Sequence, residues 1–235
     1  MKRLSLIFFI LLPVIANAQE SEIWDFPIKP GTEEWRAIEG GYRGCVDACQ
    51  IPQDVLMALS TENLAKVCLH YPLYMFYMTY NNERKGIEII IDGFNGLKEL
   101  SEKEDGALAL IKLYDDFPVI NKMQYAETRA ASPFKLVFLE LLLSNDHFIS
   151  QLDAQGLDLL KKAVLKKYEA KLENSEIYSL YNVRKTLLLG AIISERDDRI
   201  TKSSEQRAVI KRYIEQYRHV EPSVLTEISK IVSDL

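Results

Sequence analysis

The sequence predicts an all-α protein built from antiparallel helical pairs, and three observations lead to this prediction. Apolar residues recur at helical spacing through most of the 235 residues. Several of these segments are preceded by serine, threonine or aspartate and followed by proline or glycine. The side chains of the first three residue types accept hydrogen bonds from the free N–H groups of a first helical turn. No alternating apolar and polar run is bounded by hairpin turns. We therefore expect about ten or eleven helices and no sheet.

Residues 1–18 have the three-part pattern of a signal peptide. Two basic residues precede the apolar stretch 4–15, and Ala-Asn-Ala at positions 16–18 forms a small-x-small cleavage site. The apolar stretch is too short to span a bilayer, which takes about 20 residues. We expect cleavage before Gln19, and a mature protein that is exported to the periplasm or the extracellular medium.

The charge of the chain argues against a nucleic-acid partner. The sequence has 29 Lys and Arg against 34 Asp and Glu, and the signal peptide contains two of the basic residues, so the mature chain has a net charge of −7. It contains no basic patch with interleaved aromatic residues. The longest dense apolar run, 134–143, has the length of a buried helix. We expect no membrane insertion of the mature chain and no cofactor.

Residues 19–31 are predicted to be an extended N-terminal arm. They contain Trp24, Phe26, Pro27 and Pro30 without helical spacing, so we expect the aromatic rings to fasten the arm to the helical body. Residues 32–235 are expected to form a single all-helical domain, which is long enough to bury a core.

In the first half of the chain, prolines and capping residues predict where the helices begin and end. Pro52 suits a first helical turn, so a short helix is predicted over 52–59. Ser60 or Thr61 can cap the next helix, which ends before Pro72. A helix is expected at residues 32–38, stopped at Gly40-Gly41, and another from 87 to Gly93 or Gly96. Further helices are expected at residues 73–80, 97–100 and 108–117.

The second half contains longer periodic segments. A nearly wholly apolar helix follows Ser132-Pro133 and should be central. Asp153 can cap a long helix, whose lysines are predicted to face water: Lys161, Lys162, Lys166 and Lys167. The remaining helices are expected over 175–192, after the capping box of Ser203 and Gln206, and from Pro222.

Two segments that each contain a proline suggest an internal repeat. Four residues around the first proline match four around the second at a constant offset of 46: Leu64, Tyr71, Pro72 and Leu73 with Leu110, Phe117, Pro118 and Val119. This period is in the range of HEAT or armadillo repeats. The sequence therefore allows a short α-solenoid of that kind, with an irregular helical bundle as the alternative.

The sequence has three cysteines, Cys45, Cys49 and Cys68. In an oxidising compartment this number usually means one bridge and one free thiol. Cys49 and Cys68 are about equally far from the corner at 60–61, so we predict that they face each other and form a disulfide, worth about 3 kcal/mol. Reduced core cysteines are the main alternative. A zinc site that includes His70 matches no strong pattern, and we predict no metal.

The same region carries a family resemblance. The matching residues are Cys49-Gln50-Ile51-Pro52, Asp54-Val55-Leu56, Leu59-Ser60-Thr61, Leu64, Cys68-Leu69 and Tyr71-Pro72-Leu73. This pattern resembles a family of uncharacterised, exported helical proteins from gut-dwelling anaerobic bacteria, over about residues 35–120. The resemblance implies export and a helical fold, and it supplies no catalytic residues. Cys45 lies outside the pattern, which implies that Cys45 is the unpaired thiol.

The densest aromatic cluster lies between residues 71 and 80. Tyrosine rings can stack on sugars or peptides while their hydroxyls find polar partners. Tyr74, Tyr77 and Tyr80 are therefore candidate ligand-binding residues. The alternative is that these tyrosines form a core face whose hydroxyls reach water.

The sequence contains no recognisable catalytic arrangement. Adjacent carboxylates occur at 102–105, 115–116 and 197–198, but neighbours on a helix point in different directions. HExxH, GxSxG, phosphate-loop and GxGxxG patterns are all missing from the sequence. We assign no catalytic residue.

The expected function follows from the fold class. Stacked helical pairs present extended surfaces, so the sequence favours a protein that binds another macromolecule of the cell envelope. The alternatives are a hydrolase acting on glycans or peptides, and a small-molecule binding module that uses the tyrosine cluster.

Overall fold

The computed structural model describes residues 24–128 and 132–235, and the regular structure of these residues is entirely helical, as the sequence predicted. The predicted signal peptide and residues 19–23 of the arm lie outside the described residues. A 3₁₀ helix spans Tyr74–Thr79. The α-helices are α1 Glu33–Arg36, α2 Gly41–Ala48, α3 Gln53–Ala58, α4 Thr61–Leu69, α5 Glu83–Gly93, α6 Asn95–Glu102, α7 Gly106–Asp116, α8 Lys122–Thr128, α9 Ser132–Leu143, α10 Asp146–Ile149, α11 Ala154–Glu173, α12 Leu180–Arg196, α13 Ser204–Gln216 and α14 Pro222–Ser233.

The predicted caps explain where several helices begin. The Ser60 hydroxyl accepts the amide of the third residue of α4, and the Asp153 carboxylate does the same for α11. Ser203 and Gln206 form the predicted capping box at the start of α13. Each cap satisfies a helix N–H group that would otherwise lack a partner.

The helix α2 was missed, and one helix type was wrong. The helix capped by Thr32 ends before Gly40-Gly41, as predicted, but α2 begins directly at these glycines and was not predicted; their φ angles of 84° and 60° are ones that glycine adopts without strain. Residues 73–80, predicted to be α-helical, contain the 3₁₀ helix. The short helices α8 and α10 were not predicted, because helices of four to seven residues show little periodicity.

The helices are stacked in two rows. In the first row α4, α7 and α11 run in the same direction: Thr61 near the start of α4 donates to Asp105, just before α7, at 2.8 Å. Lys166 of α11 bonds Asp115 of α7 at 2.7 Å. In the second row α9 packs beside α12. The Thr61–Asp105 and Asp115–Lys166 hydrogen bonds join residues that are 44 and 51 positions apart. The offset between the two proline-containing segments of the sequence is 46.

The long helices α11 and α12 pack antiparallel. Arg199, just after the end of α12, donates to Asp158 near the start of α11. Lys171, near the end of α11, donates to Thr186 in the first half of α12. The prediction of antiparallel pairing is confirmed for this pair of helices.

The helix α12 lies at the centre of the second half, where α9, α11, α13 and α14 pack around it. The buried apolar residues form one continuous core. Phe26 of the arm is buried in it, with ring centroids 6.3 Å from Tyr71 and 6.0 Å from Phe94, so the described part of the arm is fastened as predicted. Within the described ranges, no helix has the length and apolarity needed to cross a bilayer.

Candidate functional site

The three candidate tyrosines are only partly available to a ligand. Tyr77 is fully buried and lies parallel to Phe138, at 6.4 Å between ring centroids. Tyr74 packs edge-on against the same Phe138 ring, at 5.7 Å. Tyr80 packs against Phe76. The tyrosine cluster is therefore mainly a core face, and the Tyr77 ring has no free face for a sugar or peptide.

A small depression does lie beside the 3₁₀ helix, but other residues line it. Its volume is about 310 Å³, and its wall includes Met78, Phe134 and Tyr181. The Tyr77 hydroxyl is buried and faces Tyr181 without completing a hydrogen bond. Burial, followed by the neighbouring Tyr181 and Glu83, raises the pKa of Tyr77 well above its usual range.

The predicted bridge between Cys49 and Cys68 is not formed in the structure, where all three cysteines are free thiols. Cys49 lies at the C-terminus of α2, and the extended backbone at Pro52 separates it from α3. Cys49 is therefore not on the helical hairpin, and the symmetry argument for the pairing fails. Burial, with a smaller effect of Cys45, raises the pKa of the Cys49 thiol to about 11, which leaves little reactive thiolate near neutral pH.

The prediction that four lysines of α11 face water was wrong for two of them. Lys167 is buried and donates to the backbone carbonyls of Asp115, at 2.8 Å, and Phe117. Lys161 is mostly covered and pairs with Asp197. In each case the tertiary partner is on a different helix or just beyond its end, so the lysine pattern alone could not show the contact.

The adjacent carboxylates do not converge on one point. Asp197 is buried and paired with Arg199 and Lys161, whose hydrogen bonds hold its pKa well below the usual range. The Asp115 carboxylate forms an ion pair with Lys166. Asp105 accepts the Thr61 hydroxyl. Asp116 shares a small pocket of about 120 Å³ with Glu62, but Glu62 is paired there with Lys112. This geometry does not favour the hydrolase alternative, which needs two carboxylates free to act on one bond.

One buried ion pair, Glu140 with Lys171, is completely enclosed, and we call it the enclosed pair. The lysine Nζ lies 2.7 and 2.8 Å from the two carboxylate oxygens, and neither side chain is exposed. The hydroxyls of Tyr114 and Thr186 donate to Glu140 at 2.9 and 2.8 Å. The group joins α7, α9, α11 and α12, and its buried charges are compensated by direct hydrogen bonds.

A second buried ion pair, Glu83 with Lys185, lies nearer the surface, and we call it the outer pair. The charged groups are 2.9 Å apart. Tyr181 and Tyr217 donate to the carboxylate at 2.8 and 2.7 Å, and the ammonium lies 3.7 Å from the centre of the Tyr181 ring. Burial opposes ionisation of Glu83, but the hydrogen bonds from Lys185 and the tyrosines outweigh it and lower its pKa.

Sequence reasoning missed both pairs, although a signal was present. Lys167 and Lys171 continue the stripe of Leu160 and Val164 at helical spacing, so they occupy positions expected to be buried. Glu140 lies within an apolar run. Charged residues in such positions indicate a buried partner, but they do not say which residue it is.

An open groove of about 530 Å³ runs between α7 and α11, and we call it the α7–α11 groove. Each helix contributes four residues at the spacing i, i+3, i+4 and i+7, and the two sets are 51 residues apart: Leu108, Ile111, Lys112 and Asp115 with Leu159, Lys162, Ala163 and Lys166. Because the two helices run parallel, these positions lie opposite one another. The groove is therefore a regular consequence of the stacking.

The floor of the α7–α11 groove is apolar and its edges are basic. Leu108 and Leu159 are each 45% exposed, beside the buried Ile111 and Ala163. The charged residues that line the groove are Lys112, Lys162, Lys166 and Asp115. The groove thus has a positive rim on a chain whose overall charge is negative.

Residues 24–128 and 132–235 contain no group of three or more His, Cys, Asp or Glu side chains able to hold a metal ion. Comparison of the chain with protein-family models, curated proteins and solved structures finds no match.

Proposed function

We propose that this protein is an exported binding protein that accepts an amphipathic helix of another envelope protein in the α7–α11 groove. The observation that supports this proposal most is the pair of half-exposed leucines, Leu108 and Leu159, on the floor of a groove between parallel helices. An amphipathic helix binds such a groove by inserting anchor residues at i, i+3, i+4 and i+7.

The rim favours a partner helix with an acidic polar face. Lys112 and Lys166 already pair with Glu62 and Asp115, but all four side chains are well exposed. Exposed ion pairs contribute little to stability, so these lysines can exchange their partners for carboxylates of a bound helix at low cost. Complementary charge of this kind sets the specificity and the association rate.

Fluorescence anisotropy with two synthetic amphipathic peptides tests the proposal. Both peptides have the same leucine face, and the polar face is built from glutamate in one and lysine in the other. We expect the acidic peptide to bind at least about tenfold more tightly, since the rim repels the basic one. Leu159→Asp should weaken this binding by about tenfold or more, because it places a charge on the groove floor.

Leu172→Asp is the matched control, because Leu172 is 50% exposed on the same helix but does not line the groove. Equal binding of the two peptides, or equal effects of the two variants, would contradict the proposal. A photo-crosslinking residue at position 159, with position 172 as control, should then capture the natural partner in envelope preparations. N-terminal sequencing of the protein from the source cells tests export, with Gln19 expected as the first residue.

A further inference from the structure

A second concave surface lies between the start of α5 and the end of α13. It is formed by Asn81, Asn82, Arg84 and residues 214–219 and has a volume of about 520 Å³; we call it the α5–α13 depression. This volume is in the range of sites that bind small molecules, about 300–1,000 Å³. The α7–α11 groove shares no lining residue with it.

The charged side chains of this depression are predominantly basic. Arg84, Arg218 and His219 line it, with Glu215 as the one acid among the lining residues described. In the described parts of the chain, none of the ion pairs includes Arg84, Arg218 or His219. The neighbouring acid Glu83 is buried and committed to Lys185. The positive charge of the depression is thus left for a ligand.

The structure also fixes one of the arginines in place. Arg218 donates through Nη1 to the carbonyl of Asn81 at 2.7 Å, and its own carbonyl accepts from Arg184 at 2.6 Å. A guanidinium group has five N–H donors, so donors of Arg218 remain after these contacts. Tyr217 is held beside it by the hydrogen bond to Glu83. A cation oriented in advance binds with a smaller entropic cost.

We propose that the α5–α13 depression binds a small organic anion through a carboxylate or phosphate group. Arg84 and Arg218 contact the anionic oxygens, for which a planar guanidinium fork is the matching donor. Ile214 and Tyr217 supply apolar surface for the carbon part of the ligand. The proposal does not depend on the function assigned to the α7–α11 groove.

Titration of the purified full chain, followed by nuclear magnetic resonance, tests this site with two probes, inorganic phosphate and citrate. Shifts should concentrate at residues 81–84 and 214–219. Tighter binding of phosphate would indicate a phosphorylated ligand, and tighter binding of citrate a carboxylate. Arg84→Gln and Arg218→Gln should each weaken binding by about tenfold, the loss expected for one charge-assisted contact.

Arg207→Gln is the control, since Arg207 is exposed on α13 but does not line the depression. It should change the affinity by less than about twofold, as long-range charge effects are screened. If Arg218→Gln does not fold, Arg84→Gln decides the test. An equal effect of Arg207→Gln, or no shift at millimolar concentrations of either probe, would overturn the proposal.

Discussion

The enclosed pair and the outer pair are alike in chemistry and differ in their surroundings. Glu140 and Lys171 have no exposed surface, and their hydrogen-bond partners are also buried. The outer pair is nearly as buried, but its partner Tyr217 lines the α5–α13 depression. Only one layer of side chains therefore separates the outer pair from a surface on which a ligand could bind.

This difference indicates two roles for the same kind of contact. A buried pair contributes little net stability compared with apolar residues, but loss of one partner leaves an uncompensated buried charge. The enclosed pair joins four helices, so we infer that it fixes how they pack. The outer pair positions Tyr217 at the α5–α13 depression, and Lys185 partly neutralises the charge of Glu83 beside the arginines.

The largest effect is expected from Glu140→Gln, which removes the partner of Lys171. The ammonium would stay buried without a counter-charge, so the free energy of unfolding should fall by about 3–5 kcal/mol. Urea unfolding followed by circular dichroism measures this change. The double variant Glu140→Leu with Lys171→Met should recover most of the loss, since it removes both charges. A loss below about 1 kcal/mol in the single variant would contradict this account.

A smaller loss is expected from Glu83→Gln. Lys185 is buried, but it lies beside Tyr217, which lines the α5–α13 depression. Water can reach its ammonium from that side when the pair is broken, so we expect a loss of about 2–3 kcal/mol. The same change should strengthen phosphate binding in the α5–α13 depression, because it removes a negative charge beside the arginines. Glu140→Gln should leave phosphate affinity unchanged. If both variants alter that affinity equally, the proposed distinction between the pairs is wrong.

Lys167 extends the comparison to a buried lysine that hydrogen-bonds to backbone carbonyls instead of a carboxylate. Burial lowers its pKa to about 8, whereas a lysine in the unfolded chain has a pKa of about 10.4. Between these values the unfolded state binds more protons than the native state, so this lysine makes the free energy of unfolding rise with pH. The rise between pH 7.5 and 9.5 should be about 1–2 kcal/mol.

Lys167→Met should remove this rise. Urea unfolding of the variant and the natural chain at both pH values gives the difference between their pH slopes. The difference is the informative quantity, because the buried Cys49, whose pKa is raised to about 11, works in the opposite direction above about pH 9 in both proteins. Identical slopes would show that Lys167 keeps its ordinary pKa in the native state.

The fold was largely predictable because helical signals are local. The Ser60, Asp153 and Ser203 caps, and the apolar spacing in α9 and α12, each depend on residues within one or two turns. The first turn of α2 could not be predicted in the same way, since a pair of glycines can either end or begin a helix. The predicted pairing of Cys49 with Cys68 placed Cys49 on the hairpin of α3 and α4, whereas in the structure Cys49 ends α2, before the extended backbone at Pro52.

The candidate sites were much less predictable, because their residues are distant in the sequence. Glu83 and Lys185 are 102 positions apart, and the two halves of the α5–α13 depression are separated by 130 or more residues. The sequence shows that Tyr74 and Tyr77 belong to a dense aromatic cluster. It does not show that both rings pack against Phe138 of α9, and this contact is what places them in the core. The spacing of residues within the 3₁₀ helix cannot predict a contact with a helix more than 50 residues away in the sequence.

The sequence by itself determined the helical class and most helix positions. These features follow from backbone hydrogen bonding and the alternation of apolar and polar faces, which act over a few residues. Only the tertiary structure decided which lysines are buried, which acids they meet and where concave surfaces open. The physical reason is that each buried charge needs a nearby partner, and that partner is brought close by packing rather than by chain order.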